Sequence, residues 1–266
     1  MASMETPDVE RHAREVGDSR PVEMGARLGY AASGLIHLVL GWIAVQIAWS
    51  RSAASADQSG AFATLAKQPF GELLLWACVA GFALLAVWHL TATITGAAGP
   101  ETADRVKAAA KMIMYAALGW TAFTFASGGR TSSKEQTKDF TAGLMSSAGG
   151  RLLVGVLGLG IIAAGGYHVY KGWRSKFLED LVQHPGTWAV LAGRVGYLAK
   201  GIALAVMGLL FVVGAMRGSA AKTTGLDGAL HSLREQPFGS ILLTLVGAGI
   251  AAYGVYSFAR ARYARV

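Results

Sequence analysis

The sequence predicts an all-α integral membrane protein with six transmembrane helices, arranged as three tandem helical hairpins with approximate threefold pseudosymmetry. Three observations predict it. Of 266 residues, 53% are hydrophobic and only 15% charged, which does not describe a soluble domain. The charges are segregated, so that long stretches carry none. Finally, a pair of apolar segments recurs three times with glycines at matching positions.

The uncharged runs, in order, are Leu28–Trp49 (22 residues), Leu73–Gly99 (27), Met112–Gly129 (18), Leu152–Tyr170 (19) and Gln236–Ala259 (24). A sixth, Val195–Met216, is interrupted only by Lys200. A helix rises about 1.5 Å per residue, so about 20 apolar residues cross the roughly 30 Å hydrocarbon layer. Each run suffices. Ahead of them, residues 1–26 read as a polar, mobile tail. Its six acids, Arg11, Arg14 and Arg20, without an apolar core, make neither a secretory signal nor an Arg-rich transit peptide. The hairpins occupy residues 27–99, 100–175 and 176–260, and a basic tail closes the chain at 261–266.

The repeat is visible in particular residues. Arg27-Leu28-Gly29-Tyr30 returns as Arg194-Val195-Gly196-Tyr197, and glycines follow each arginine at seven and fourteen residues: Gly34 and Gly41, Gly201 and Gly208. The middle copy is degenerate, with Arg105, Met112 and Gly119. Each second helix has its own signature, because Gln68-Pro69-Phe70-Gly71 returns as Gln236-Pro237-Phe238-Gly239. From that glycine, another follows at ten residues and an aromatic at seventeen: Gly71, Gly81, Trp88; Gly150, Gly160, Tyr167; Gly239, Gly249, Tyr256. Two spans per copy make this a parallel repeat about an axis along the membrane normal. The linkers place apolar residues three apart before the turn, so they are expected to form short interfacial helices ended by proline, with Asp227 as a cap.

This arrangement resembles the bacterial membrane-protein family known as domain of unknown function 1206, found largely in actinobacteria. The resemblance runs from Arg27 to about Arg260 and is carried by Arg-x-Gly-Tyr and Gln-Pro-Phe-Gly. It implies a three-repeat, six-span fold and transfers no activity. The middle copy lacks Gly-Tyr after Arg105 and Gln-Pro-Phe before Gly150.

A net charge of +8 would suggest nucleic acid in a soluble protein, but here the basic residues flank apolar runs and face lipid headgroups. Arg27, Arg105, Lys111, Arg194 and Lys200 are the expected contacts to anionic lipid on the cytoplasmic side, the two lysines by snorkelling. Fifteen Lys and Arg lie on the side of the termini against nine on the other, which puts both termini in the cytoplasm of a bacterial inner membrane. Asparagine is absent, a coding bias of a GC-rich bacterium that also removes N-glycosylation. The single cysteine, Cys78, excludes an internal disulfide and a thiolate metal cluster.

Candidate chemistry is sparse. His37, His89 and His168 invite a haem reading, since facing histidines can hold iron between two spans. Helix-packing hydrogen bonds account for them better, because the third copy has Ser257 in place of His89 and His168. Gly158-Leu159-Gly160-Ile161-Ile162-Ala163 matches a dinucleotide fingerprint in letters but follows no strand. Glycines instead let helices approach in lipid, which provides no hydrophobic drive. The expected packing glycines are Gly34, Gly41, Gly81, Gly119, Gly160, Gly201, Gly208 and Gly249. Trp49, Trp76 and Trp173 read as interfacial anchors.

With no catalytic constellation, no cofactor and no metal site expected, the sequence reads as a non-enzymatic accessory or lipid-interacting protein working with other membrane proteins. The alternative is a channel or carrier along the axis between the hairpins, favoured if polar side chains converge there. A close bundle with short linkers leaves little room for a ligand chamber.

Overall fold

A computed structural model describes residues 19–50, 54–96 and 101–264. These form helices α1 (Arg20–Trp49), α2 (Gln58–Ala66), α3 (Gly71–Thr95), α4 (Thr102–Ala126), α5 (Ser133–Met145), α6 (Ala148–Trp173), α7 (Thr187–Arg217), α8 (Gly225–Arg234) and α9 (Gly239–Tyr263). Short 3-10 turns lie at Lys176–Asp180 and Ala220–Lys222. Of the expected N-terminal tail, residues 1–18 lie outside the described residues, and from Arg20 the chain is already helical. At the other end α9 runs to Tyr263, and Val182 donates its N–H to the Tyr263 carbonyl (2.8 Å).

Among the described residues, five helices are long and apolar enough to cross a membrane: α1 from Val22, α3, α6, α7 and α9. The fold is therefore an all-helical, multi-pass membrane architecture. The sequence expectation of six spans is met in length but not in composition. Helix α4 has 25 residues, yet Asp104, Arg105, Lys107 and Lys111 occupy its first ten and dilute its apolar content.

The long helices pack in the order α4, α3, α1, α9, α7, α6, each against the next, with α6·α7 and α1·α9 the most extensive contacts. The two end members, α4 and α6, share no extended contact. Glycines explain the tight pairs. A Cβ on Gly34 would lie 2.9 Å from the Gly254 carbonyl, and one on Gly41 2.5 Å from the Gly247 carbonyl, which joins α1 to α9. Gly201 and Gly165, like Gly208 and Gly158, meet each other's carbonyls at 2.6–2.8 Å, joining α7 to α6. Backbones this close gain dispersion along both helices without side-chain entropy. Gly29 and Gly81 join α1 to α3 in the same manner, while Gly196 abuts Tyr253 and Gly249 abuts Ala199 between α7 and α9.

The middle copy departs from this. Lys107 stands where Gly29 and Gly196 stand in the other copies, and α4 and α6 are apart. Gly160, expected as a packing glycine, consequently faces open space with nothing within 4 Å of an added Cβ. In α6 the packing is done instead by Gly158 and Gly165. Helix α4 packs on α3 through aromatic rings: Phe82 on Tyr115 (6.2 Å between centroids) and Trp76 on Phe123 (5.9 Å). Gly119 there makes only ordinary contact, 3.6 Å from the Phe82 Cβ.

The turns into α3, α6 and α9 show why one glycine survives in every copy. After Pro69 ends the linker helix, Phe70 adopts φ 61° and the Gly71 amide donates to the Gln68 carbonyl (2.9 Å). Phe238 repeats this with φ 59°, Gly239 donating to Gln236 (2.8 Å). In the middle copy Ser147 takes over as the cap, its hydroxyl accepting from the Gly150 amide (3.0 Å). In all three, a Cβ on Gly71, Gly150 or Gly239 would collide with a carbonyl of the preceding linker helix.

Candidate functional site

The linker helices α2, α5 and α8 gather at one end of the bundle. Asp57 caps α2 through the Gly60 amide (2.9 Å) and accepts from Ser59 and Ser55. Asp227 was expected to cap α8 in the same way, but it does something else. Helix α8 begins at Gly225, so Asp227 lies inside its first turn and reaches across to the other linkers. Its carboxylate accepts from the Ala56 amide (2.8 Å) and pairs with Lys134 (2.9 Å) and His231 (3.3 Å). Burial alone would raise the Asp227 carboxyl, yet His231, the Ala56 N–H and Lys134 outweigh it and hold it well below the usual range. His231 is raised by the same hydrogen bond. The Thr141 and Thr223 hydroxyls bridge α5 to the turn before α8 (2.5 Å).

At the opposite end, around the 3-10 turn after α6, aromatics cluster. Phe177 stacks on Tyr197 (5.3 Å), Tyr253 meets Tyr197 edge-on (5.2 Å), and the Tyr256 hydroxyl donates to the Phe177 carbonyl (3.1 Å). Cations lie on these rings: Arg260 over Tyr30 (4.2 Å), Lys200 over Tyr253 (4.3 Å) and Lys171 over Tyr197 (5.6 Å). Lys171 also pairs with Asp180 (2.6 Å).

Between the two ends lies an axial chamber of about 850 Å³, bordered by all nine of the described helices. The expectation of little room is thus wrong. Residues of both α4 and α6 line it, although these two helices share no extended contact. Its walls are polar at the linker end (Gln136, Thr137, Thr141), apolar in the middle (Leu40, Leu118, Ile161, Leu204) and basic-aromatic at the far end (Lys111, Tyr115, Lys171, Lys200, Tyr253, Arg260).

The sequence-selected residues divide across this frame. Lys111 and Lys200, expected to reach for headgroups, line the chamber. Arg27 is held by Glu23 (2.9 Å) and by carbonyls near the end of α9. Arg194 donates to the Ser175 hydroxyl (2.6 Å), and Arg105 lies against Gly96. His37 and His168 border the chamber, each with Nδ1 bonded to a carbonyl one turn back, Ser33 (2.7 Å) and Ala164 (2.8 Å). His89 is buried in the α3–α4 seam, stacked on Tyr115 (5.4 Å). Among the described residues no group of three or more His, Cys, Asp or Glu is placed to hold a metal ion. The anchors Trp49, Trp76 and Trp173 are exposed, and the Trp49 indole donates to Thr244 (2.9 Å). Sequence reasoning missed Lys171, Arg260 and their tyrosines. A cation one helical turn beyond a His or an aromatic, as in His168-Lys171 and Tyr256-Arg260, was the available signal.

Fold and site together define a multi-pass helical membrane protein with an interior chamber. The chain belongs to the family described as Domain of Unknown Function (DUF1206), which it matches three times, over residues 28–96, 106–175 and 195–264. Each match holds two of the long helices: α1 and α3, α4 and α6, α7 and α9. The chain is similar to the uncharacterized protein YxxB of Bacillus subtilis (strain 168), 29% identical over 248 residues that cover 89% of each chain. That relative places the likeness outside the actinobacteria. No solved structure matches.

Proposed function

We propose that this is a non-enzymatic, six-span protein of the bacterial inner membrane that binds a ligand in its axial chamber, as a carrier or binding component. The observation that carries this reading is the chamber itself. Its volume falls within the roughly 300–1,000 Å³ typical of ligand sites, and polar groups converge on its two ends, the condition that favours the carrier reading over a purely structural one. Helix α4 is the sixth span, long enough at 25 residues and flanked by α3. The neighbour order then makes a pseudo-threefold ring breached within the middle copy.

The test is native mass spectrometry of the gently purified protein. A bound small molecule at one per chain is expected, lost when Ala203→Trp or Leu204→Trp fills the chamber. An absent ligand, or one indifferent to both variants, would sink the reading. A second reading, an accessory partner, draws support from α6, which exposes Leu152, Leu153, Val156 and Leu159 and packs chiefly on α7. A stoichiometric protein partner without a chamber ligand would establish it.

The termini are cytoplasmic in this reading, supported by the basic excess on their side. Lys67 and Lys222 are exposed at the linker end, and the native Cys78 is buried. Lys67→Cys and Lys222→Cys should therefore react with an impermeant thiol reagent applied to spheroplasts. Reaction only after lysis would reverse the orientation.

A further inference from the structure

We infer that the chamber's ligand is an anionic amphiphile, a membrane lipid with a phosphate-class headgroup, admitted sideways between α4 and α6. This rests on the reading that the chamber holds a ligand, and it adds the ligand's class and route.

Charge is the first argument. Lys111, Lys171, Lys200 and Arg260 share one end of the chamber, and Asp180 is the carboxylate that lines that end. Asp180 is committed to Lys171 at 2.6 Å. Neither Lys111 nor Lys200 has a carboxylate partner among the described residues, and Arg260 rests on a tyrosine ring. Several cations crowded inside a membrane-embedded wall repel one another and lack compensation. An anion seated among them removes both costs.

The second argument is what surrounds that anion. Above the lysines the walls are Leu118, Leu157, Ile161 and Leu204. A sugar or nucleotide extending there would leave its polar groups without partners; a hydrocarbon chain would not. Access is the third. The bundle has five packed seams and one breach, at α4–α6, where Lys107 replaces the glycine that closes the other two copies. A lipid can pass from the bilayer to the chamber through that breach without its chain meeting water. Lys111 and Lys200 lie six residues past Arg105 and Arg194, about 9 Å deeper along their helices.

The test uses the full chain, delipidated in detergent, with three probes: dioleoylphosphatidylglycerol, dioleoylphosphatidylcholine and inorganic phosphate. One phosphatidylglycerol should survive in native mass spectra where phosphatidylcholine is displaced. Lys111→Gln with Lys200→Gln should weaken retention roughly tenfold or more with the melting temperature kept, and Lys111→Arg with Lys200→Arg should restore it. Ala203→Trp should abolish it. Equal retention of both lipids, phosphate binding as tightly as the lipid, or retention indifferent to every variant would each overturn the inference. The two readings fail separately. A natural ligand displaced by Ala203→Trp without lipid selectivity sinks only the ligand class, and no chamber-dependent mass sinks both.

Discussion

Gly158→Leu should lower the stability of the folded protein by about 1–3 kcal/mol, while Gly160→Leu, two residues along the same helix, should leave it within about 0.5 kcal/mol. The reason is direction. Two residues turn a helix by about 200°, so the two glycines look opposite ways. A Cβ on Gly158 would stand 2.8 Å from the Gly208 carbonyl and 2.9 Å from the Val212 amide, so α6 and α7 would have to separate along their closest seam. A Cβ on Gly160 meets nothing within 4 Å. Leucine is also the better helix former at both sites, so propensity cannot produce the contrast. Thermal melting in one detergent reads it. Equal losses would mean that the seam is not where the structure puts it, and a larger loss at Gly160 would mean that α4 closes on α6.

That pair also marks how far the sequence could be read. The apolar runs and the seven-residue spacing of Gly34 with Gly41 and Gly201 with Gly208 were legible, because two copies carry them and lipid leaves small residues as the means of close approach. Their partners Gly247, Gly254, Gly158 and Gly165 have the same spacing. The second-helix signature, which counts ten residues from the turn glycine, selects Gly81, Gly249 and Gly160 instead. That register marks the contact within a copy. It holds for Gly81 against Gly29 and for Gly249 against Ala199, and fails for Gly160, which has nothing within 4 Å of an added Cβ because α6 shares no extended contact with α4. The loss of Gly-Tyr after Arg105 is visible in the sequence; that α4 and α6 then share no extended contact is not. Whether a degenerate pair closes depends on what every other helix in the bundle does.

The site was half legible for a related reason. The matched register of Lys111 and Lys200 is plain in the sequence, but a lysine near a span end can point to lipid or inward. A helix that is apolar on all sides carries no amphipathic signal to decide. Asp227 was legible as a helix-start acid, and local spacing favoured a cap. Its reach to Ala56, 171 residues away, follows only from three linkers sharing one end.

Asp227→Asn should destabilise the protein by about 2–4 kcal/mol, because Asp227 is 2% exposed and its charge ties three linkers at once. Losing one member of a buried pair costs about 3–5 kcal/mol, and the partial exposure of Lys134 lowers that. Asparagine keeps an acceptor for the Ala56 amide but leaves Lys134 and His231 facing a neutral group. The pH profile supplies a second check. Asp227 is depressed in the folded state, so its contribution is present above the ordinary carboxylate value of 3.8 and fades as pH falls below it. His231 is raised, so its contribution is whole below 6.5 and fades as pH climbs through the higher folded value. Wild type should be most stable between about pH 4 and 6.5 so far as this cluster decides, and Asp227→Asn should flatten both flanks. Loss at one pH with both flanks unchanged would leave Asp227 a packing residue. No loss at any pH would mean that α2, α5 and α8 are not held through this carboxylate, and Lys134→Met, which spares the Ala56 bond, should then be silent too.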